Sequence, residues 1–249
     1  MIEPMIRMLS LLALAGLLAS ASLPVAALEL DRLRMLTAAE HVPWRAVGRV
    51  NIGGTREIGM CTGTLIAEDL VLTAAHCVVS AQTGQAYRPT MVHFVAGWRR
   101  GQKVGHSIAS TITVHPGYWG ADDTDVGRLA FDLAVIRLAQ PIPREKAPFF
   151  GLAPAPAIGT PLTLISYRRD RAHALTRQRG CEITAIRNAV MTMNCNVTFG
   201  ASGSPVFVSN GDEVRLVAVL TAMGTDPAHP VAFAVVADES IAEVLAALK

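Results

Sequence analysis

The segment Leu72-Thr73-Ala74-Ala75-His76-Cys77 places a histidine beside a cysteine, directly after an apolar stretch. Sixteen positions before Cys77, a second cysteine opens the segment Cys61-Thr62-Gly63-Thr64-Leu65-Ile66. A bridge between Cys61 and Cys77 would clamp both ends of a strand–turn–strand unit and hold His76 tightly. Taken alone, however, the pattern favours a buried structural histidine over a functional one.

A second segment, Phe131-Asp132-Leu133-Ala134-Val135-Ile136-Arg137-Leu138, carries one aspartate at the start of an otherwise apolar strand. A buried carboxylate needs partners, because an unpaired buried charge costs several kcal/mol. An imidazole N–H is a suitable partner, so Asp132 is a candidate for orienting a histidine. Alone, Asp132 is equally consistent with an exposed residue at the entry of a strand.

The third segment is Phe199-Gly200-Ala201-Ser202-Gly203-Ser204-Pro205-Val206-Phe207. A serine between glycines on a tight turn can expose its Oγ together with the neighbouring backbone N–H groups. Acyl transfer needs both, a nucleophile and donors for the oxyanion. Taken alone, the segment is more typical of an ordinary Gly/Ser loop.

The three segments together change this interpretation. His76, Asp132 and Ser202 are the three residue types of a catalytic triad, and each lies in a motif-like setting. The nucleophile needs a base, and the base needs a carboxylate to orient it. The sequence therefore predicts a hydrolase with these three catalytic residues.

Composition limits the other classes of protein. The chain has 249 residues, of which 51% are hydrophobic and 17% charged, with a formal net charge of +2. A long disordered chain would be poorer in apolar residues and more highly charged. The low net charge also argues against a nucleic-acid partner. Four cysteines are an even number, which suits two bridges in an exported protein.

The first residues have the pattern of a secretory signal peptide. Arg7 is followed by the uncharged stretch Met8–Leu28, whose dense apolar part, Leu9–Ala19, is too short for a membrane span. We predict a signal peptide at 1–27, with an uncleaved N-terminal anchor as the alternative. Export to the periplasm or the medium follows, with no stable membrane insertion after cleavage.

The rest of the chain has short apolar stretches separated by turn residues, which favours an all-β fold. The stretch 139–161 contains six prolines and is expected to connect two all-β halves. Near the end, four apolar residues share one helical face and predict a C-terminal α-helix: Ile241, Val244, Leu245 and Leu248. The predicted strands are 46–52, 70–72, 91–95, 108–114, 131–138, 161–167, 190–193, 205–208 and 214–221.

The His, Asp and Ser segments resemble the three signature segments of trypsin-like (chymotrypsin-fold) serine proteases. The serine segment has the pattern Gly-x-Ser-Gly-Ser-Pro, which is similar to the corresponding segment of the secreted bacterial branch that includes glutamyl-endopeptidase-like (V8-like) enzymes. The resemblance implies two six-stranded antiparallel Greek-key β-barrels with the active site in the cleft between them. On this basis we expect a propeptide or N-terminal extension at 28–42, a first barrel at 43–145, and a second barrel with the C-terminal helix at 146–249.

The resemblance also implies roles for individual residues. His76 would take the proton of Ser202, Asp132 would hold the imidazole, and the N–H groups of Gly200 and Ser202 would form the oxyanion hole. The substrate would be a protein or peptide. No metal or cofactor is needed, and we expect a monomer.

Several positions depart from the family pattern. Many members have an aspartate immediately before the nucleophile, which pairs with a newly freed N-terminus, whereas this chain has Ala201. Asn196 is expected at the base of the primary pocket, with Thr221 and Met223 along its wall. Leu220 takes the place of the histidine that marks Glu-cutting relatives, so a small or apolar P1 residue is expected.

Two further features leave alternatives open. Cys181 and Cys195 remain for a second bridge, although four cysteines allow three pairings. Five arginines crowd one segment and would bind an anionic surface, favour acidic substrates or form a solvated basic loop: Arg168, Arg169, Arg171, Arg177 and Arg179. Because Ala201 and Met223 are unusual, the alternative function is an inactive or latent pseudoprotease acting as a binding module.

Overall fold

The computed structural model describes residues 33–53, 58–120, 126–211, 213–225, 229–237 and 239–248. The predicted signal peptide at 1–27 and the first part of the 28–42 extension lie outside these residues. None of the helices in the described ranges is long and apolar enough to cross a membrane.

A short N-terminal unit precedes the barrels. It consists of strand β1 (Leu33–Met35), helix α1 (Ala38–His41) and a 3-10 turn at Val42–Trp44. Helix α1 begins with a capping box, in which Thr37 Oγ1 accepts from the N–H of Glu40 and the Glu40 carboxylate accepts from the N–H of Thr37. Strand β1 pairs with a strand of the second barrel, so this unit is attached to the far half of the molecule.

The first barrel is closed by six antiparallel strands in the order β2-β3-β4-β7-β6-β5. Val50, Val71, Phe94 and Ile136 are fully buried in its core. The strands are β2 (Val47–Ile52), β3 (Gly59–Leu65), β4 (Leu70–Thr73), β5 (Val92–Ala96), β6 (Gly105–Val114) and β7 (Ala134–Leu138).

The second barrel is closed in the order β9-β10-β11-β14-β13-β12, with β12 returning to β9. The proline-rich connection before it holds only the two-residue strand β8 (Gly151–Leu152), which pairs in parallel with β13. The remaining elements are β9 (Pro161–Ser166), β10 (Thr176–Arg187), β11 (Val190–Met193), β12 (Pro205–Asn210), β13 (Glu213–Met223), β14 (Ala232–Val236) and helix α2 (Glu239–Ala246). The predicted all-β fold of two six-stranded barrels with a short C-terminal helix is confirmed.

The two barrels share an apolar interface. The ring of Trp44 lies 5.1 Å from that of Phe207, and Phe150 lies 4.6 Å from Phe207. Leu72 and Leu133 of the first half belong to the same buried cluster. Because β4 and the start of β7 pack directly onto the second barrel, the residues that follow or precede them lie at the junction.

Candidate active site

His76 lies in a 3-10 turn, Ala75–Cys77, immediately after β4. The disulfide Cys61–Cys77 ties this turn to β3, with the Cα atoms 6.0 Å apart. Strand β4 ends three residues before His76 and the bridge begins at the residue after it, so the histidine backbone is held on both sides. Cys61, His76 and Cys77 cluster within 4.8 Å, but both sulfurs belong to the bridge, so they offer no thiolate to a metal.

Asp132 binds His76 through both of its carboxylate oxygens. Oδ2 lies 2.7 Å from Nδ1 of the ring, and Oδ1 accepts from the backbone N–H of His76 at 2.9 Å. The aspartate side chain is 7% exposed, whereas the histidine side chain is 39% exposed. Since a carboxylate only accepts, Nδ1 carries the hydrogen and Nε2 is left as the basic atom.

The pKa of His76 reflects two opposing effects. Desolvation in the cleft acts to lower it, but the charge of Asp132 and its hydrogen bond outweigh desolvation and raise the pKa above the ordinary value.

Strand β7 starts two residues after Asp132, at Ala134, and a 3-10 segment at Val126–Phe131 leads into it. Asp132 is therefore at the entry of β7 rather than inside it.

Ser202 lies in the turn between Thr198 and β12, where two glycines adopt positive φ. Gly200 has φ +89° and Gly203 has φ +78°. A Cβ on Gly203 would lie 2.1 Å from the carbonyl oxygen of Thr62 and 2.2 Å from Thr73 Oγ1, so no larger residue fits there. The turn therefore lies directly against the first barrel.

The backbone of this turn leaves two donors without acceptors. The N–H of Ala201 donates to Thr198 and that of Gly203 donates to Leu220, at 3.1 and 2.7 Å. Within the described part of the chain, the N–H groups of Gly200 and Ser202 donate to no protein group. The carbonyl of Phe199 accepts from the N–H of Arg169 at 2.8 Å. Because carbonyl and N–H of a trans peptide point in opposite directions, this bond turns the N–H of Gly200 away from Arg169.

Thr62 of β3 connects the serine turn to the first barrel. Its Oγ1 donates to the carbonyl of Gly200 at 2.9 Å and accepts from the N–H of Tyr167 at 2.9 Å. Its backbone N–H donates to the carbonyl of Ser202 at 2.8 Å. These bonds hold the turn without a charged group at Ala201, which is buried. Sequence reasoning missed Thr62, because a threonine in a strand carries no signal of its own.

His76 and Ser202 line one cavity of about 290 Å³. No hydrogen bond joins Ser202 Oγ to His76 among the described residues, and Nε2 of His76 lies 3.8 Å from Cys77 Sγ. The rest of the lining is mainly apolar and comes from the residues before the serine turn and from the end of β13: Val197, Thr198, Phe199, Leu220, Thr221, Ala222 and Met223.

The structure brings two of the three expected pocket residues to this cavity. Thr221 and Met223 line it, and Thr221 Oγ1 lies 3.3 Å from the carbonyl of Phe233. Asn196 does not: its side chain is exposed and lines a separate cavity with Gln178 and Arg179. The expectation that Asn196 forms the pocket base is therefore corrected, because Val197, the next residue, lines this cavity instead.

Cys181 and Cys195 form the second bridge, with Cα atoms 5.0 Å apart. It ties β10 to the segment that leads to the serine turn.

The arginine-rich segment is only partly a loop, since Arg177 and Arg179 lie on β10. Arg168 is buried, and its guanidinium donates to the carbonyl of Asn196 at 3.0 Å and to Asp170 at 3.2 Å.

Comparison with known sequences supports the resemblance that the three segments suggest. A family model described as a trypsin-like peptidase domain matches residues 61–219. The glutamyl endopeptidase of Bacillus licheniformis is 27% identical over 179 residues, which cover 71% of this chain and 52% of that protein. The chain thus spans about half the length of that relative. Chymotrypsin-like elastase family member 1 of Felis catus is 31% identical over 187 residues, covering 72% of this chain and 66% of the elastase.

Solved structures agree on the fold. A Glu endopeptidase in complex with MPD superposes with a TM-score of 0.71 at 19% identity, covering 86% of this chain and 95% of that one. The protease Anisep from Arthrobacter nicotinovorans gives a TM-score of 0.66 at 19% identity, covering 85% and 96%. From the family match over residues 61–219, together with the two closed barrels, the chain belongs to the trypsin-like peptidase domain family of chymotrypsin-fold serine proteases, in the branch that includes glutamyl endopeptidases.

Proposed function

We propose that the chain is a serine endopeptidase that cleaves peptide bonds through an acyl-enzyme, with Ser202 as nucleophile, His76 as base and Asp132 as the orienting carboxylate. The observation that carries this proposal is the pair of hydrogen bonds from His76 to Asp132, at 2.7 and 2.9 Å, at the wall of the cavity that Ser202 also lines.

The proposed reaction has two halves. As Ser202 Oγ attacks the substrate carbonyl, His76 Nε2 takes its proton and then gives it to the leaving amine. Water next attacks the acyl-enzyme and loses a proton to His76, which returns that proton to Ser202 Oγ as the bond to the acyl group breaks and the product acid leaves. Asp132 stays ionised throughout and stabilises the imidazolium, which is consistent with the raised pKa of His76.

The backbone N–H groups of Gly200 and Ser202 would stabilise the oxyanion. Both lack an acceptor in the described structure, while the neighbouring N–H groups are hydrogen-bonded. Preorganised donors of this kind are worth about a hundred- to a thousandfold in rate each. The hydrogen bonds from Thr62 to Gly200 and Ser202 support a turn that is already ordered in the absence of substrate.

The lining of the cavity supports a small or apolar P1 residue. Val197, Leu220, Ala222 and Met223 present apolar side chains, and no charged side chain other than His76 lines the cavity in the described part of the chain. A glutamate at P1 would have to bury its carboxylate without a cation, which is costly. The preferred P1 residue of this chain would therefore differ from the one that the name of its glutamyl endopeptidase relative indicates.

Export is the second part of the proposal. The uncharged, apolar run Leu9–Ala19 and the small residues before position 28 support a cleaved signal peptide at 1–27. Two disulfides in a chain of this kind suit an oxidising compartment, the periplasm or the medium.

A fluorophosphonate probe tests the proposed activity. The purified mature protein is treated with the probe and analysed by intact mass and peptide mapping, with Ser202→Ala as the matched control. A single adduct on Ser202 that is absent from the variant is the expected result. A folded protein that gives no adduct would instead favour the latent or inactive binding module, and peptide cleavage assays would then be negative as well.

A further inference from the structure

One cavity outside the catalytic cleft is lined by cations. It measures about 520 Å³, within the usual range for ligand pockets, and lies between α1 and the turn that joins β5 to β6. Arg45, Arg99 and Lys103 line it, together with His41 and Gln102. No acidic side chain is part of the lining in the described ranges.

Within the described ranges, the three cations have no acidic partners. In the described structure Arg45, Arg99 and Lys103 form no ion pair, and Nε of Arg99 is buried without a hydrogen-bond acceptor. Cations that share one cavity without an acidic partner repel one another, so an anion from outside the protein would be stabilised there.

A tight turn after β5 places Arg99 beside the cavity. Arg99 and Gln102 exchange backbone hydrogen bonds of 2.8 and 2.9 Å around a two-residue turn, in which Arg100 and Gly101 both have positive φ. A Cβ on Gly97 would lie 3.5 Å from Cγ of Arg45, so this arginine packs beside the same turn. The arrangement thus brings cations from two separate segments to one cavity.

His41 lies close enough to Arg99 and Arg45 to be affected by their charges. It is buried, and desolvation together with the charges of Arg99 and Arg45 lowers its pKa to about 4. His41 is therefore neutral at pH 7 and adds no charge to the lining.

The cavity also lies within a larger basic face, formed by segments 34–49, 98–103 and 168–179. These segments touch: the N–H of Arg100 donates to His173 at 2.7 Å, and that of Leu36 donates to Leu175 at 2.8 Å. The two acids of this face, Glu40 and Asp170, are already paired with arginines. Because the whole protein carries only +2, positive charge is concentrated on this side.

We propose that the cavity between α1 and the β5–β6 turn binds a phosphate group, either as free phosphate or as the monoester headgroup of a lipid. Arginine presents a planar fork of N–H donors that matches phosphate oxygens, and lysine adds a compact charge. A doubly charged tetrahedral anion in the cavity would neutralise the lining cations. This site is separate from the catalytic cleft and does not depend on the proposed proteolysis.

Calorimetric titration of the full-length mature protein with inorganic phosphate, at constant ionic strength, tests the proposal. The variants Arg45→Gln and Lys103→Gln each remove one lining cation, and Lys103 is exposed, so its replacement should not affect folding. Arg144→Gln is the matched control, because Arg144 is an exposed arginine that lines a different groove. We expect phosphate binding to weaken about tenfold or more in each pocket variant and to stay unchanged in the control.

Vesicles distinguish the two sources of phosphate. The protein is co-sedimented with vesicles that contain phosphatidic acid and, for comparison, with vesicles of phosphatidylcholine alone. Binding to the phosphatidic acid vesicles that free phosphate competes away indicates a lipid ligand. Binding of free phosphate without binding to these vesicles indicates a soluble ligand. Equal weakening in Arg144→Gln would show diffuse surface charge and overturn the proposal. The absence of binding to both phosphate and phosphatidic acid would overturn it as well.

Discussion

Thr62 Oγ1 donates a 2.9 Å hydrogen bond to the carbonyl oxygen of Gly200, across the junction between the two barrels. The same hydroxyl accepts from the N–H of Tyr167, so both of its hydrogen-bonding directions are used. Thr62 is fully buried. The peptide group that follows Gly200 is thus fixed by a side chain of the other barrel, and Gly200 is one of the two proposed oxyanion donors.

Replacing Thr62 with valine should weaken catalysis by loosening this turn. Valine keeps the shape but leaves the Gly200 carbonyl and the Tyr167 N–H without a partner, at a cost of about 1–3 kcal/mol in stability. We expect kcat to fall about tenfold or more with KM little changed, because the oxyanion donors act mainly in the transition state. Steady-state kinetics on a peptide substrate measures the split.

Thr62→Ser is the conservative control for this prediction. It retains the hydroxyl and should recover most of kcat, although it removes a methyl group and so costs some stability. If serine and valine reduce kcat equally while both proteins stay folded, the hydroxyl does not position the turn.

Gly203 should tolerate no side chain. Gly203→Ala would place a Cβ 2.1 Å from the carbonyl oxygen of Thr62, in a backbone conformation of φ +78° that L-residues rarely adopt. We expect both a lowered melting temperature and loss of labelling by the fluorophosphonate probe, since the clash would push the serine turn away from the first barrel.

Gly211→Ala separates backbone strain from this clash. Gly211 also has positive φ, +61°, but nothing lies within 4 Å of a Cβ placed there. This variant should lose about 1 kcal/mol at most and keep its activity. Equal effects of the two substitutions would mean that strain alone, rather than contact with Thr62, explains the Gly203 result.

The sequence predicts much of the fold because most strands carry a simple apolar signal. β11 has the predicted bounds Val190–Met193, and β4, β9 and β12 differ from their predictions by at most two residues at an end. Strand β10 was not predicted. It alternates Arg177 and Arg179 with buried Thr176 and Gln178, and polar residues on both faces hide the period of a strand.

Only part of the site is predictable from the sequence, because some of its residues carry no recognisable local pattern. His76, Asp132 and Ser202 stand out because each is a reactive residue within a recognisable segment. Thr62 and Asn196 do not, because their placement depends on how two distant segments meet in space. Thr62 reaches Gly200 across 138 positions of sequence, and the path of the chain from Cys195 to the serine turn decides that Val197 rather than Asn196 lines the cavity.

The pH dependence of activity should follow His76. The base must be neutral to accept the proton of Ser202, so kcat/KM should rise as pH increases through a pKa above the usual histidine value. The same raised pKa stabilises the folded state below the unfolded pKa, and that contribution is lost as pH rises through the folded pKa. A kcat/KM profile over pH measures the activity limb.

Asp132→Asn should change both the rate and this profile. The amide cannot stabilise the imidazolium and allows the wrong tautomer, so kcat should fall about ten-thousandfold. The acidic limb of the remaining activity should move to lower pH, because the charge that raises the pKa of His76 is gone. An unshifted limb in the variant would show that Asp132 does not control the titration of His76.

Met223 should limit the size of the P1 residue. Its side chain lines the cavity beside Ser202, at the end of β13, and is about 37% exposed, so its removal should disturb folding little. Met223→Gly would open the pocket toward aromatic P1 residues. A side chain that fills new apolar space gains about 1–3 kcal/mol, which corresponds to roughly a tenfold or larger change in relative kcat/KM.

A peptide library that varies only P1 measures the preference, with cleavage after alanine as the internal reference. The wild-type enzyme should favour small apolar residues over glutamate and arginine, and the variant should gain aromatic residues without gaining charged ones, because the remaining lining is still apolar. A wild-type preference for glutamate would contradict this account of the pocket, since it would require a cation that the described lining does not contain.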